Sequence, residues 1–210
     1  MNLIDYLQQH FLTREQLLAR TCIAGARLDH LQQLGMMPRP SYRLQLKIGC
    51  ASFFGHHEEA HAIDWYAHGY VAWAGLLETF DKPQQAFDMF AERYRRRLAQ
   101  LAVDKLVSCP QDLSGDAHIA AEWAHFLDGT YGLCTRSGLP EDIAAKEAAI
   151  TLIRALTALA RPQELDAEES MQLAAAVELL DRVSSPFAPH EVSRSSRRRY
   201  VDDVKKDWRP

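Results

Sequence analysis

Apolar residues recur along most of the chain at three- and four-residue steps, the spacing that puts them on one face of a helix. Leu3, Ile4 and Leu7 open a short helix. Thr13 with Gln16 makes a capping box for a second, running to about Ala19, because each side chain meets the other residue's backbone N–H. A third spans Ala26 to Leu34, with Gly35 as a left-handed cap and Pro38 and Pro40 preventing resumption. Tyr42, Leu44, Leu46 and Ile48 then alternate with Arg43, Gln45 and Lys47, the period of a strand with one face buried, and this is the only strand predicted.

Beyond it the pattern reads helical again. Ala62, Trp65, Gly69, Ala72, Trp73 and Leu76 predict a helix from His56 to about Thr79. Another runs from Pro83 through Phe87, Phe90, Tyr94, Leu98 and Leu101 to near Cys109-Pro110. Helices follow at Asp116 to Leu127, at about Glu141 to Ala160, from Asp166 through Leu173, Val177 and Leu180, and around Tyr200 to Lys206. The expected fold class is all-α: an irregular helical bundle over 49–210, ending in a basic tail, behind a small helix-turn-helix-like module over 1–48.

Composition bounds the function classes. With 47% hydrophobic and 25% charged residues in 210, the chain can bury a sizeable core. The first residues lack a basic start and an apolar run, and the uncharged stretch Trp65 to Leu77 is too short to cross a bilayer, so a cytoplasmic protein without membrane contact is expected. Four scattered cysteines suggest neither a zinc cluster nor a disulfide framework. The net charge of −4 is uneven: residues 1–48 and 191–210 each carry +3, and the middle carries −10. An acidic middle repels polyanions, so any nucleic-acid contact falls to the two ends.

Read on a helix, His57, His61, Asp64 and His68 share a strip roughly 60° wide. His118, Glu122 and His125 repeat the spacing on a second helix. Imidazoles and carboxylates one turn apart can converge on Zn or Fe, so a divalent metal is a candidate cofactor and these seven residues its candidate ligands. His57 to His61 also spells H-E-x-x-H, and Glu58-x-x-His61 with Glu122-x-x-His125 suits a di-iron bundle. Half-buried histidines bordering a core explain the same pattern. The glycine-punctuated segment Asp128 to Arg136 offers Tyr131 and Arg136 as contacts for a small-molecule ligand, Arg136 by clamping a carboxylate or phosphate.

Leu12 to Leu44, with two helices, a tight turn at Ile23 to Gly25, Gly35-Met36-Met37-Pro38 and Tyr42-Arg43, resembles the start of MerR-type winged helix-turn-helix domains. That resemblance implies a second helix in the DNA major groove and makes Arg27, Gln32 and Arg43 candidate DNA contacts. The blocks SYRLQLKIGCASFFG, DGTYGLCTRSGLPEDI and SSPFAPHEVSRSSRRRYVDD resemble an uncharacterised bacterial family of domains of unknown function labelled natural product biosynthesis proteins, which implies small-molecule work near secondary metabolism. Three functions stay open: a small-molecule binder or enzyme, a DNA-binding regulator with a helical effector domain, and a structural interaction protein. A homodimer is open as well.

Overall fold

A computed structural model describes residues 2–104, 111–159 and 165–207. The expected helix end at Cys109-Pro110 and the residue Ala160 lie outside them. Elements follow the order α1 (Leu3–His10), β1 (Phe11–Thr13), α2 (Arg14–Thr21), α3 (Gly25–Gln33), β2 (Tyr42–Ser52), β3 (Gly55–Ala67), α4 (Tyr70–Leu77), α5 (Pro83–Val103), α6 (Asp116–Leu127), α7 (Thr130–Cys134), α8 (Pro140–Leu159), α9 (Ala167–Val183) and α10 (Asp203–Asp207). The protein is mostly helical, with a small antiparallel sheet in the order β1-β3-β2.

Local signals account for the first helices. Thr13 caps α2, accepting from the Gln16 N–H at 3.3 Å while the Gln16 side chain accepts from the Thr13 N–H at 3.0 Å. Gly35 takes φ +65 after α3, a conformation without steric cost only for glycine. Met36 and Met37 then turn inward and are buried.

The segment from His56 departs from expectation. Residues 55–67 form a strand, not a helix, and pair with β2 from Tyr42↔Trp65 to Ser52↔Gly55. The lone predicted strand is therefore half of a hairpin. Two physical features misdirect a helical reading. Residues 47–62 are exposed, so no apolar face marks the period of the outer hairpin. At its inner end, consecutive Trp65, Tyr66 and Ala67 are all buried, Trp65 against Tyr6, Leu7 and Phe11 and the other two against the helical core. A strand covered on both faces loses its alternation. The hairpin projects from the body and ends in Phe53 and Phe54, 97% and 96% exposed.

The helical core is aromatic at its centre. The Phe126 ring lies 5.0 Å from Trp73 and 5.1 Å from Phe90, and Trp123 lies 5.2 Å from Phe90. Trp73 also donates its indole N–H to the Met36 carbonyl at 2.9 Å, tying the chain after α3 to α4. Behind this centre, α8 packs on α5 and α9. Phe126→Ala should cost about 3–5 kcal/mol of stability, and the double change Phe53→Ser, Phe54→Ser less than about 0.5 kcal/mol; urea unfolding midpoints measure both.

Candidate functional site

The short helix α7 has two working sides. Its inner side faces a polar cluster set in the apolar core, and its outer side forms the floor of a surface cleft. Gly129 starts α7 at φ +81, and a Cβ there would meet the Arg39 and Pro40 carbonyl oxygens at 2.7 Å. At the far end the Thr135 hydroxyl donates to the Tyr131 carbonyl at 2.6 Å and accepts from the Gly138 N–H at 2.9 Å. The Arg136 N–H donates to the Val183 carbonyl at 2.7 Å, and Thr135 bridges to Ser184, so the segment is pinned to the end of α9.

On the inner side, Glu122 from α6, Tyr131 and Cys134 from α7 and Lys146 from α8 are all buried. The Tyr131 hydroxyl donates to the Glu122 carboxylate. Lys146 Nζ donates to Cys134 Sγ at 2.8 Å and lies 5.7 Å from the Tyr131 ring centroid. His118 Nε2 stands 3.1 Å from the Tyr94 hydroxyl and 3.8 Å from Glu122. Burial first, then the neighbouring Glu147 carboxylate, pushes the Glu122 carboxyl up to about 7, against a smaller opposing effect of Lys146. Burial also raises the Cys134 thiol above its ordinary range, although Lys146 opposes this. A carboxyl poised near neutrality beside a tyrosine and a histidine can exchange protons, the property general acid-base chemistry requires.

On the outer side, a cleft of about 340 Å³ is lined by His10, Phe11, Gly132, Thr135, Arg136, Ser185, Pro186 and Arg197. Arg197 is held by Asp181, through the carboxylate and, at 3.1 Å, through the carbonyl. Arg136 is exposed and among the described residues has no carboxylate partner. Burial and the Arg136 charge hold His10 below the ordinary imidazole range. The cleft therefore offers the Arg136 guanidinium, the His10 imidazole and the Ser185 hydroxyl as groups that can meet an anion.

The histidines predicted as a metal stripe are placed differently. On a strand His57 and His61 share a face but stand about 13 Å apart along it, while Asp64 falls on the opposite face. Both histidines contact Glu59, at 3.4 and 2.9 Å, on the exposed hairpin. Asp64 accepts from Arg43 at 2.7 and 3.0 Å, and His68 Nδ1 lies 3.4 Å from Arg20. On α6, His118 and Glu122 face the interior cluster, whereas His125 is exposed with its ring 6.4 Å from Tyr131. Among the described residues no three His, Cys, Asp or Glu side chains form a group able to hold a metal. The two sets stay apart because the first rides on the hairpin and the second on a helix of the core.

Of the two residues proposed as ligand contacts, Arg136 lines the cleft and Tyr131 points inward to Glu122. The side chains proposed for DNA are engaged within the chain: Arg27 by Glu78 at 3.4 Å, Gln32 by the Pro38 carbonyl at 2.8 Å, and Arg43 by Asp64. Sequence reasoning missed His10 and Lys146, and read Arg197 only as part of the basic tail. Lys146 carried a usable signal, since it shares with Ile143 and Ile153 a stripe at helical spacing whose other members are apolar.

The raised Glu122 carboxyl couples stability to pH. Between the ordinary value of 4.5 and about 7 the folded state holds a proton that the unfolded state releases, so stability is greatest below that window and falls as pH rises through it. The loss amounts to roughly 3 kcal/mol. Glu122→Gln should flatten this dependence, as read from urea midpoints across pH 4 to 8.

Comparison with known proteins bears on the same region. No curated protein and no solved structure matches the chain. A family model, described as a family of unknown function (DUF6058), matches residues 86–209. The match takes in all but the first residues of α5 and then α6 to α10, with Glu122, Tyr131, Cys134, Arg136, Lys146 and Arg197, and leaves out α4, the hairpin and everything before it. It contains two of the three blocks noted in the sequence, 128–143 and 184–203. Because the match extends over more than half of the chain, this protein belongs to the DUF6058 family of unknown function.

Proposed function

We propose that the protein binds a small anionic molecule, bearing a carboxylate or a phosphate, in the cleft floored by α7. The observation that carries this reading is the Arg136 guanidinium, which lines the cleft with no carboxylate partner among the described residues. Arginine presents a rigid fork of donors suited to planar two-point recognition of such groups. Its backbone is pinned to Val183, so the ordering cost of its main chain is already met before binding. His10 and Phe11 come from the amino-terminal part and the remaining lining residues from the family region, so an occupant would touch both.

Isothermal titration of the full chain with inorganic phosphate and with citrate tests this reading. Saturable binding of either anion, weakened at least about tenfold by Arg136→Ala, is the expected result, in line with the loss of one charge-assisted hydrogen bond. Heat from neither anion, or equal affinity in wild type and variant, overturns it.

A second reading, DNA binding by the amino-terminal part, is favoured by topology. The order α1-β1-α2-α3-β2-β3 with sheet order β1-β3-β2 is compatible with the helix-turn-helix resemblance of the sequence, on which α3 would be the reading helix and the projecting hairpin the wing. Fold alone does not carry function. Arg27 and Arg43 would have to leave Glu78 and Asp64 to reach phosphates. In a gel shift at low salt, duplex DNA should be retarded and Arg27→Ala with Arg43→Ala should weaken the complex. An unchanged shift counts against a reading head in this position.

A further inference from the structure

Cys134 and Lys146 stand in a relation that core packing alone does not require. Their side chains are buried, with only 8% and 5% of each residue exposed, and Sγ lies 2.8 Å from Nζ. Nitrogen and a neutral carbonyl oxygen approach that closely in a hydrogen bond, whereas sulfur is larger and holds a donor farther away. A single atom bonded to both sulfur and nitrogen would hold them near this separation. Lys146 has no carboxylate within ion-pair distance among the described residues, so the thiol is the polar atom it meets. Both residues sit on fixed backbone, Cys134 at the end of α7 with its carbonyl accepting from Ser185 at 3.4 Å and Lys146 in the second turn of α8. The reacting atoms are thus brought together before any chemistry starts.

We propose that Cys134 and Lys146 form an oxidative crosslink in which one oxygen atom joins Sγ to Nζ, with hydrogen peroxide as the oxidant. In the first step the peroxide O–O bond breaks, one oxygen bonds to Sγ, and the thiol becomes a sulfenic acid with release of one water. In the second step the amine nitrogen of Lys146 is oxidised by a second peroxide. An N–O bond forms to the sulfenic oxygen, the second O–O bond breaks, and its two oxygens leave as two waters that carry off the S–OH hydrogen and one N–H hydrogen. Sulfur and nitrogen each lose two electrons, and the two peroxides accept four. A dithiol in excess returns the four electrons and restores thiol, amine and water. Thr135, the next residue after Cys134, lines the cleft on the other side of α7, and Cys134 itself keeps a small exposed surface through which a small oxidant can reach it. The crosslink would fasten α7 to α8 from the inner side, and it does not depend on what occupies the cleft.

The test is made on the full chain. Purified protein is treated with hydrogen peroxide, unfolded in acid, digested and analysed by mass spectrometry. The expected product joins the peptides of Cys134 and Lys146, with a combined mass greater by one oxygen and smaller by two hydrogens, and it disappears after treatment with a dithiol. After unfolding, Cys134 should also resist alkylation while the exposed Cys22 and Cys50 report the general extent of oxidation. Lys146→Arg should abolish the joined product and leave Cys134 either unmodified or oxidised without a link. An unmodified Cys134, a sulfenic or sulfinic acid or a disulfide without a lysine link, or a direct sulfur–nitrogen bond lacking the oxygen, would overturn the proposal. Because the readout is a product of the wild-type chain, the outcome stands even where a variant folds poorly.

Discussion

A lysine side chain inside an apolar core is a standing electrostatic debt, and much of the family region is arranged around it. Moving an amine-bearing chain away from water costs several kcal/mol unless polar or polarisable atoms replace the lost solvation. Lys146 points to the Cys134 sulfur and the face of the Tyr131 ring, both supplied by α7, with Glu122 and Glu147 contributing field from α6 and α8. Burial leaves Glu122 with too little water, the Glu147 carboxylate adds to the effect, and its carboxyl rises although Lys146 opposes this. Position, charge state and neighbour identity in this cluster are therefore one coupled problem, and a change at any member is felt by the rest.

The cleft depends on that cluster at one remove. Its floor can only be as rigid as α7, and α7 is held from below by the Tyr131–Glu122 contact and from its ends by Gly129 against Arg39 and Pro40 and by Arg136 against Val183. Its far wall belongs to the amino-terminal part. The Tyr6 hydroxyl meets Ser185 at 3.1 Å and the Tyr42 hydroxyl donates to Glu191 at 2.6 Å, so the first helix and β2 are fastened to the segment after α9. A chain that closes on itself in this way builds a pocket from residues far apart in sequence, each contributing little alone.

That architecture explains what could be read from sequence. The capping box at Thr13, the left-handed Gly35 and the helices around Phe90, Phe126 and Leu180 were legible because their causes are local. The hairpin was not, since residues 55–67 owe their conformation to backbone pairing with Tyr42–Ser52, and HHEEAHA has no strong strand formers to announce it. A mistaken period then spread into chemistry: seven residues expected to converge were assigned angular positions on a helix that does not exist for four of them. Arg136 could be singled out on its glycine-rich segment, but the sequence alone left open whether it would meet a ligand or pair with a carboxylate of the acidic middle. Tyr131, on the same segment, faces Glu122 and not the cleft, an orientation with no local signal because nothing local tells which way a five-residue helix will roll.

The projecting hairpin carries a burden of its own. Beyond its junction with β1, both of its edges expose backbone donors and acceptors, the arrangement onto which further strands add without limit in aggregating proteins. Its sequence supplies a counterweight. Lys47 stands on the outer edge strand, and Glu58 and Glu59 stand on the other, where any added strand must accommodate them. Colloidal behaviour at high concentration thus rests on three charges far from the core, and folding stability would give no warning of their loss.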